Sequence, residues 1–364
     1  MKNKNICFFR HSGLKHAGGA ERVLVSVANK LSFLGFNIFI MSYKTENKSF
    51  YQLNDDITRL FLNYDVEKKR PFSFKFINTL SAIRSNIKSN NIDIIIPLGT
   101  EPSILTFLAL IFIKYPKKIA WIHYSFFIKL KFRDKVLRKV ILPFYDKIIV
   151  LNKTDHLKFS NLYPGKVIHI PNPIPFKSSK VSLLNNKTLL ALGRLDKVKG
   201  FDKLIKIFGL IHRNEKFRDW KLNIFGDDNG EKEYLEKLII KHNLINKVFI
   251  NEAKKDVETE YLKSDIYVMT SISECFPMVL LESQEYGLPI VSFDCHSGPR
   301  DIICNNINGF IVKVDNIQDF ADALMLIMEN NSVRNKMGLE SKKNTQKFQI
   351  DNIIKKWTIL LNEL

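Results

Sequence analysis

Two glutamates eight positions apart, Glu274 and Glu282, bracket a Phe-Pro-Met-Val step in the stretch Thr270 to Asp294, TSISECFPMVLLESQEYGLPIVSFD. Pro277 suits the first turn of a helix, Gly287 its C-terminal cap and Pro289 a stop, so the spacing predicts a helix from about Pro277 to Tyr286. The free amides at its tip, from Phe276 through Pro277 and Met278 to Val279, would face a phosphate, aided by the helix dipole. A glycosidase pair is excluded by length. Eight residues at ~1.5 Å rise put the two backbones about 12 Å apart even if all were helical, beyond the roughly 5–9.5 Å of paired hydrolytic carboxylates. Separate jobs at the two ends of one ligand fit better: a hydroxyl-bearing ring at each end and a charged middle describe a nucleoside diphosphate sugar.

The elements that must position these groups follow from periodicity. Short β-branched or aromatic runs alternate with amphipathic segments, the signature of βαβ units around parallel sheets. Strands are predicted at Ile6–Phe9, Ile38–Met41, Ile94–Pro97, Ile119–Ile122 and Ile148–Leu151, then at Leu189–Leu192, Leu222–Phe225, Val248–Ile250, Ile266–Met269, Ile290–Phe293 and Phe310–Val312. Helices are predicted at about 316–329, 332–347 and 350–363, after the last strand. A strand and a Ser/Glu loop precede the Pro277 helix, so its tip lies at the carboxyl edge of a sheet, where doubly wound folds bind ligands. A length of 364 residues suits two domains. The expected division is 1–170, a Pro/Ser-rich linker over 171–186, 187–348, and a helix over 349–364 that returns to the first domain.

Composition narrows the partners. Four cysteines, Cys7, Cys275, Cys295 and Cys304, form no CxxC pair, which argues against a structural zinc site or a disulfide framework and fits a reducing cytoplasm. The N-terminus has only a four-residue apolar run before Arg10 and His11, too short for a signal peptide. The apolar run Ile104 to Ile113 is about half of the ~20 residues needed to span a bilayer. Net charge is +19, and all of the excess sits in one half: residues 1–180 hold 30 Lys+Arg against 11 Asp+Glu, the remainder 26 against 26. Such a half attracts an anionic partner. A lysine-rich genome bias would have charged both halves.

The Glu274-x(7)-Glu282 spacing, with Phe276-Pro277 two residues after the first Glu, resembles the signature of retaining GT-B glycosyltransferases, the large family of bacterial lipopolysaccharide, capsule and glycan-assembly transferases. Similar order extends along most of the chain. Gly18-Gly19-Ala20-Glu21 looks like the family's glycine-rich opening, His123 in WIHYS like its acceptor-side histidine, Pro171 to Ile174 like its interdomain turn. Gly193-Arg194 with Lys199-Gly200 looks like its GR…KG phosphate motif, and Gly226 like its strand-ending glycine. The resemblance implies an α/β GT-B fold of two Rossmann-like, doubly wound domains facing across a cleft. It implies that Arg194 and Lys199 neutralise the donor diphosphate, Glu282 holds the ribose hydroxyls and Glu274 contacts the transferred sugar, with His123 on the acceptor side and Gly19, Gly193 and Gly226 against the donor. Arg and Lys beside a leaving diphosphate stabilise the charge that develops as the glycosidic bond breaks. No metal and no other cofactor is then expected, and the chain lacks an Asp-x-Asp sequence. Transfer by a retaining, front-face route is the family expectation. Cys275 stands where relatives commonly carry glycine, a departure that bears on the conformation of the Glu274 loop.

The loop wording of Phe293 to Val312 resembles transferases that use UDP-galactose, UDP-N-acetylgalactosamine or UDP-glucose. For the acceptor, Leu130 to Val140 sets Lys131, Arg133, Lys135, Arg138 and Lys139 between apolar positions after an aromatic run. That suits an anionic membrane face presenting a lipid-linked or lipopolysaccharide glycan, with the protein peripheral on the inner side of the cytoplasmic membrane; the plain alternative is a solvated helix on the first sheet. Two other functions remain as alternatives. A GT-B UDP-sugar epimerase or hydrolase would turn over UDP-sugar without acceptor. A nucleic-acid-binding protein would need interleaved aromatic and basic residues on an exposed sheet face, and no nucleic-acid partner is expected.

Overall fold

In the computed structural model the described residues are 4–11, 14, 18–43, 49–62 and 74–364. The chain divides into two units: residues 1–175 with 350–364, and residues 176–349. Residues 176–186, expected as connecting chain, belong to the second unit. Ser182 ties them down, its N–H donating to the Tyr286 carbonyl (2.9 Å) and its hydroxyl to the Ser264 carbonyl (2.6 Å).

In the N-terminal unit the strands are β1 (Asn5–Arg10), β2 (Asn37–Ser42), β3 (Thr58–Phe61), β4 (Ile94–Leu98), β5 (Lys117–Trp121), β6 (Lys147–Val150) and β7 (Val167–His169), all parallel, in spatial order 3-2-1-4-5-6-7. In the C-terminal unit β8 (Thr188–Leu192), β9 (Lys221–Phe225), β10 (Val248–Asn251), β11 (Ile266–Met269), β12 (Ile290–Phe293) and β13 (Gly309–Val312) form a second parallel sheet in order 10-9-8-11-12-13. Strands such as Ile94–Leu98 and Ile290–Phe293 are buried along their whole length, as expected when helices cover both faces. The order reverses between β1 and β4 and again between β8 and β11. Those two points are where a doubly wound sheet opens a ligand crevice at its carboxyl edge. β3 and β7 were not expected: both lie at sheet edges, β3 carries Arg59 and is only half-buried, and β7 has three residues.

The C-terminal helix Ile350–Glu363 belongs to the N-terminal unit. Its Trp357 is fully buried against Trp121 (ring centroids 4.7 Å) and Phe8 (6.1 Å), and Lys4 Nζ donates to the Leu361 carbonyl at 2.6 Å. Just before it, in the C-terminal unit, the buried carboxylate of Glu285 accepts from Lys342 Nζ (2.6 Å), the Thr345 hydroxyl (2.7 Å), the Ser178 N–H (2.9 Å) and the Gln349 amide (3.3 Å). One side chain thus holds the segments next to both points where the chain passes between units. Among the described residues no helix is long and apolar enough to cross a membrane.

Candidate active site

The expected chemistry of the C-terminal unit gathers at the β8/β11 switch point. Beyond β8, the Gly193 N–H donates to the Phe225 carbonyl (3.0 Å) and the Leu195 N–H to the Asp227 carbonyl (2.9 Å), so the 193–196 loop continues the sheet register alongside 226–228. Gly226 is required by this approach: a Cβ there would stand 1.8 Å from the Gly193 carbonyl oxygen, a backbone atom that cannot move aside without taking the loop with it. The Asp196 carboxylate then accepts from the Lys199 N–H (3.2 Å) and starts the short turn Lys197–Lys199.

The loop after β11 is pinned from both sides. The Ile272 N–H donates to the Val198 carbonyl (2.9 Å) and the Thr270 hydroxyl to the Lys199 carbonyl (3.1 Å). From the β12 side, the Ser297 hydroxyl donates to the Glu274 carbonyl (3.0 Å). Held this way, Glu274 meets Lys199 directly, Nζ to Oε1 at 2.7 Å, and both side chains are largely shielded from water. The resemblance gave Lys199 to the donor diphosphate and Glu274 to the transferred sugar; the structure pairs the two with each other.

Arg194 is placed differently. Its guanidinium is 71% exposed and pairs with Asp196 at 3.1 Å, so it stands at the mouth of the loop and not beside Glu274. Glu282 sits on the helix Met278–Glu285, buried, and accepts from the Tyr261 hydroxyl at 3.1 Å. Tyr261 stacks on Tyr286 (centroids 5.1 Å). Tyr261 and Ser297 were not expected as members of the site; no local motif marks Tyr261, and Ser297 lies in the segment Phe293 to Val312, which was read only for the donor sugar. Tyr267 lies under the same loops, its hydroxyl accepting from the Leu192 N–H at 3.2 Å. Burial, then the carboxylates of Glu282 and Glu274, raise its phenol well above the usual range, so it remains a neutral floor. Burial with the Glu274 charge likewise pushes the Cys295 thiol up to about 12, which keeps it unreactive.

Two details of the helix tip are corrected. The helix begins at Met278, with Pro277 extended (φ −73°, ψ 105°) as the residue before it and not in its first turn, and it ends at Glu285. Proline has no N–H, so the donors at this tip belong to Phe276, Met278 and Val279, and no side chain caps them. The C-terminal end behaves as the sequence indicated. Gly287 takes φ +75°, its N–H donates to the Gln284 carbonyl (2.9 Å), and the Leu288 N–H reaches the Ser283 carbonyl (3.0 Å), a Schellman closure.

The N-terminal unit gathers a second set at the carboxyl ends of β1, β4 and β5. Gly19 opens the helix Gly19–Phe33 and Gly18 precedes it. The buried Glu21 folds back over Gly18, where a Cβ would lie 2.1 Å from Oε2, and binds Arg10 at 2.6 Å. His11 and Glu101 approach to 3.6 Å. His123 follows β5; its ring is partly covered and rests on Trp121 (4.6 Å), while Nε2 is closed off from solvent and has no partner among the described residues. Burial first, and the positive Arg10 second, push its pKa down from 6.5 to about 3. His169, half-buried and near Lys356, is lowered to about 4. Between those values and 6.5 the unfolded chain binds protons that the folded unit refuses, so stability should fall as pH falls through that window. The slope is up to about 1.4 kcal/mol per pH unit for each ring. Thermal denaturation from neutral pH to about pH 4 measures it, and His123→Asn should flatten the dependence.

Comparison with known proteins follows the same lines. The family model for glycosyl transferases group 1 matches residues 175–344. An uncharacterized glycosyltransferase of Haemophilus influenzae is 30% identical over 363 residues, 98% of this chain and 100% of that one. An α-1,4-N-acetyl-D-galactosaminyltransferase of Campylobacter jejuni, named for a diphospho-undecaprenol-linked GalNAc acceptor, is 27% identical over 96% of both chains. The crystal structure of TarM superposes with a TM-score of 0.83 at 16% identity, covering 99% of each chain; another structure of TarM holds UDP and α-GlcNAc-glycerol (TM-score 0.79). With its two doubly wound sheets and full-length relatives of this kind, the chain belongs to the group 1 glycosyltransferases and is an enzyme of GT-B fold.

Proposed function

We propose that this glycosyltransferase moves galactose, N-acetylgalactosamine or glucose from a UDP-sugar, with retention, to a lipid-linked or lipopolysaccharide glycan at the inner face of the cytoplasmic membrane. The observation that carries the reading is the Lys199–Glu274 pair, an ammonium and a carboxylate held 2.7 Å apart at the switch point beside an uncapped helix tip. On donor binding, Lys199 exchanges Glu274 for the diphosphate, and Glu274 is released to accept hydroxyls of the transferred sugar. Arg194 swings from Asp196 onto the same phosphates, and the amides of Phe276, Met278 and Val279 complete the cradle. Glu282, oriented by Tyr261, takes the ribose. Gly193 and Gly226 keep that wall free of side chains, and Gly19 and His123 serve from the N-terminal unit.

In this reading the anomeric C–O bond to the phosphate breaks, and the acceptor oxygen bonds to the anomeric carbon on the same face. The acceptor's proton passes to the departing phosphate oxygen. Two cations supply the charge stabilisation, so the mechanism has no step for a metal. His123, neutral at physiological pH, serves the acceptor side without a charge. The relatives support the substrate class: the Campylobacter jejuni enzyme is named for a lipid-diphosphate glycan, and TarM was crystallised with UDP.

Release of UDP from a panel of UDP-sugars, with bacterial lipid extract as acceptor, tests the assignment. Arg194→Ala should lower turnover at least about tenfold, since a charge-assisted phosphate contact is worth on the order of 1.5–3 kcal/mol. A crystal with UDP bound away from residues 193–200 and 274–282 would overturn the assignment, as would UDP-sugar turnover independent of acceptor.

A further inference from the structure

The N-terminal unit carries an aromatic surface that its own core does not use. Helix Thr100–Ala109 lies beside the segment 132–144: the Thr100 hydroxyl donates to Asp134 (2.6 Å) and the Phe107 and Phe144 rings meet at 5.2 Å. Their inner sides share one core, with Ile104 and Phe107 packed on Leu137, Ile141, Leu142 and Tyr145. Their outer sides do not. Phe132 is 80% exposed and Phe144 60%, and directly beyond the helix the turn Phe112-Ile113-Lys114-Tyr115 is exposed at every residue, with Phe112 at 97%.

Cations neighbour these rings along the chain, Lys131 and Arg133 on either side of Phe132 and Lys114 two residues past Phe112. Lys114, Lys129, Lys131, Arg133, Lys135 and Lys139 are all exposed. Asp134, the one carboxylate in 129–144, is engaged by Thr100 and by the Lys131 N–H (3.2 Å). Arg138 faces inward, donating to the Phe126 carbonyl (2.9 Å) over the Phe126 ring. Beside the turn a cavity of about 550 Å³ repeats the pattern, with Ile87, Ile92 and Leu110 inside and Arg84 and Lys88 at its wall. Its Asp93 is occupied by the Asn5 N–H (2.8 Å).

Exposed phenylalanines interspersed with exposed lysine and arginine match the boundary of an anionic bilayer, where rings enter the acyl edge and cations lie over lipid phosphates. A second copy of the chain would bring one set of cations against another. We propose that this flank of the N-terminal unit docks on an anionic membrane surface, with Phe112, Phe132 and Phe144 inserted. The proposal rests on the membrane-presented acceptor above, but the assay below uses neither donor nor acceptor, so each can fail alone.

The test is flotation of the full chain with vesicles of phosphatidylcholine containing a quarter phosphatidylglycerol, against phosphatidylcholine alone. The expected result is binding to the anionic vesicles that weakens with salt. It should weaken about tenfold or more in the variant Phe112→Ser/Phe132→Ser/Phe144→Ser, and similarly in Lys131→Glu/Arg133→Glu/Lys135→Glu. All six positions are exposed, so both variants should melt with the wild type; if the Phe variant does not, the charge variant decides. Failure of the wild type to float overturns the proposal. So does equal binding by a folded variant, or a concentration-dependent dimer, seen by light scattering, that the Phe variant abolishes.

Discussion

Lys199→Ala should lower kcat/KM for the nucleotide sugar by about 10²- to 10³-fold, the largest single loss among the site residues. Removing one preorganised donor from a developing oxyanion typically costs on the order of 2.7–4 kcal/mol. Here the donor is an ammonium largely shielded from water, where its field is least screened. The same substitution leaves Glu274 in a closed loop without its counter-charge, so the variant should also melt lower. The two consequences separate in the double variant Lys199→Ala/Glu274→Gln, which removes the orphan charge. It should regain the melting temperature and remain inactive. If turnover by Lys199→Ala stays near wild type, the ammonium does not act on the departing phosphate.

Glu285→Ala should destabilise the C-terminal unit by about 3 kcal/mol without touching the chemistry. The carboxylate is 1% exposed and accepts four hydrogen bonds. Its loss leaves the Ser178 N–H short of a partner, while the Thr345 hydroxyl keeps the Lys342 carbonyl at 2.8 Å. Lys342, partly exposed, can turn to water, which keeps the cost below that of a fully buried pair. For a unit of this size the melting temperature should drop by about 6–12 °C, and Glu285→Gln, which keeps an acceptor, should lose about half as much. Scanning calorimetry and UDP titration of the same samples distinguish a stability effect from a binding effect.

What could be read in the sequence tracks where single elements carry their own signal. Runs such as Ile94–Leu98 and Ile290–Phe293 announce buried strands, and Gly287 with Pro289 announces a helix end, because burial and backbone geometry leave marks within a few residues. β3 and β7 left no mark: at a sheet edge neither a full apolar run nor a length beyond three or four residues is needed. The fold class was legible for the same reason, since alternation of these runs already means parallel sheets. Contacts across long separations were not. Lys199 and Glu274 are 75 positions apart, and nothing near either one tells of the other. Nor does the five-residue helix Glu258–Leu262 reveal that its Tyr261 turns onto Glu282. The tip of the Met278 helix was nearly read. The error lay in placing Pro277 inside the first turn, a position its fixed φ allows but its extended ψ here does not take.

The return of helix Ile350–Glu363 also orders the birth of the molecule. Residues 176–349 form an unbroken stretch whose every strand and helix is available once that stretch has left the ribosome. The N-terminal unit must wait, with Phe8 and Trp121 lacking their Trp357 neighbour until residues 350–363 have followed. The N-terminal unit is therefore begun before the C-terminal one and completed after it, and its indole and phenyl surfaces are the ones that need protection in the interval.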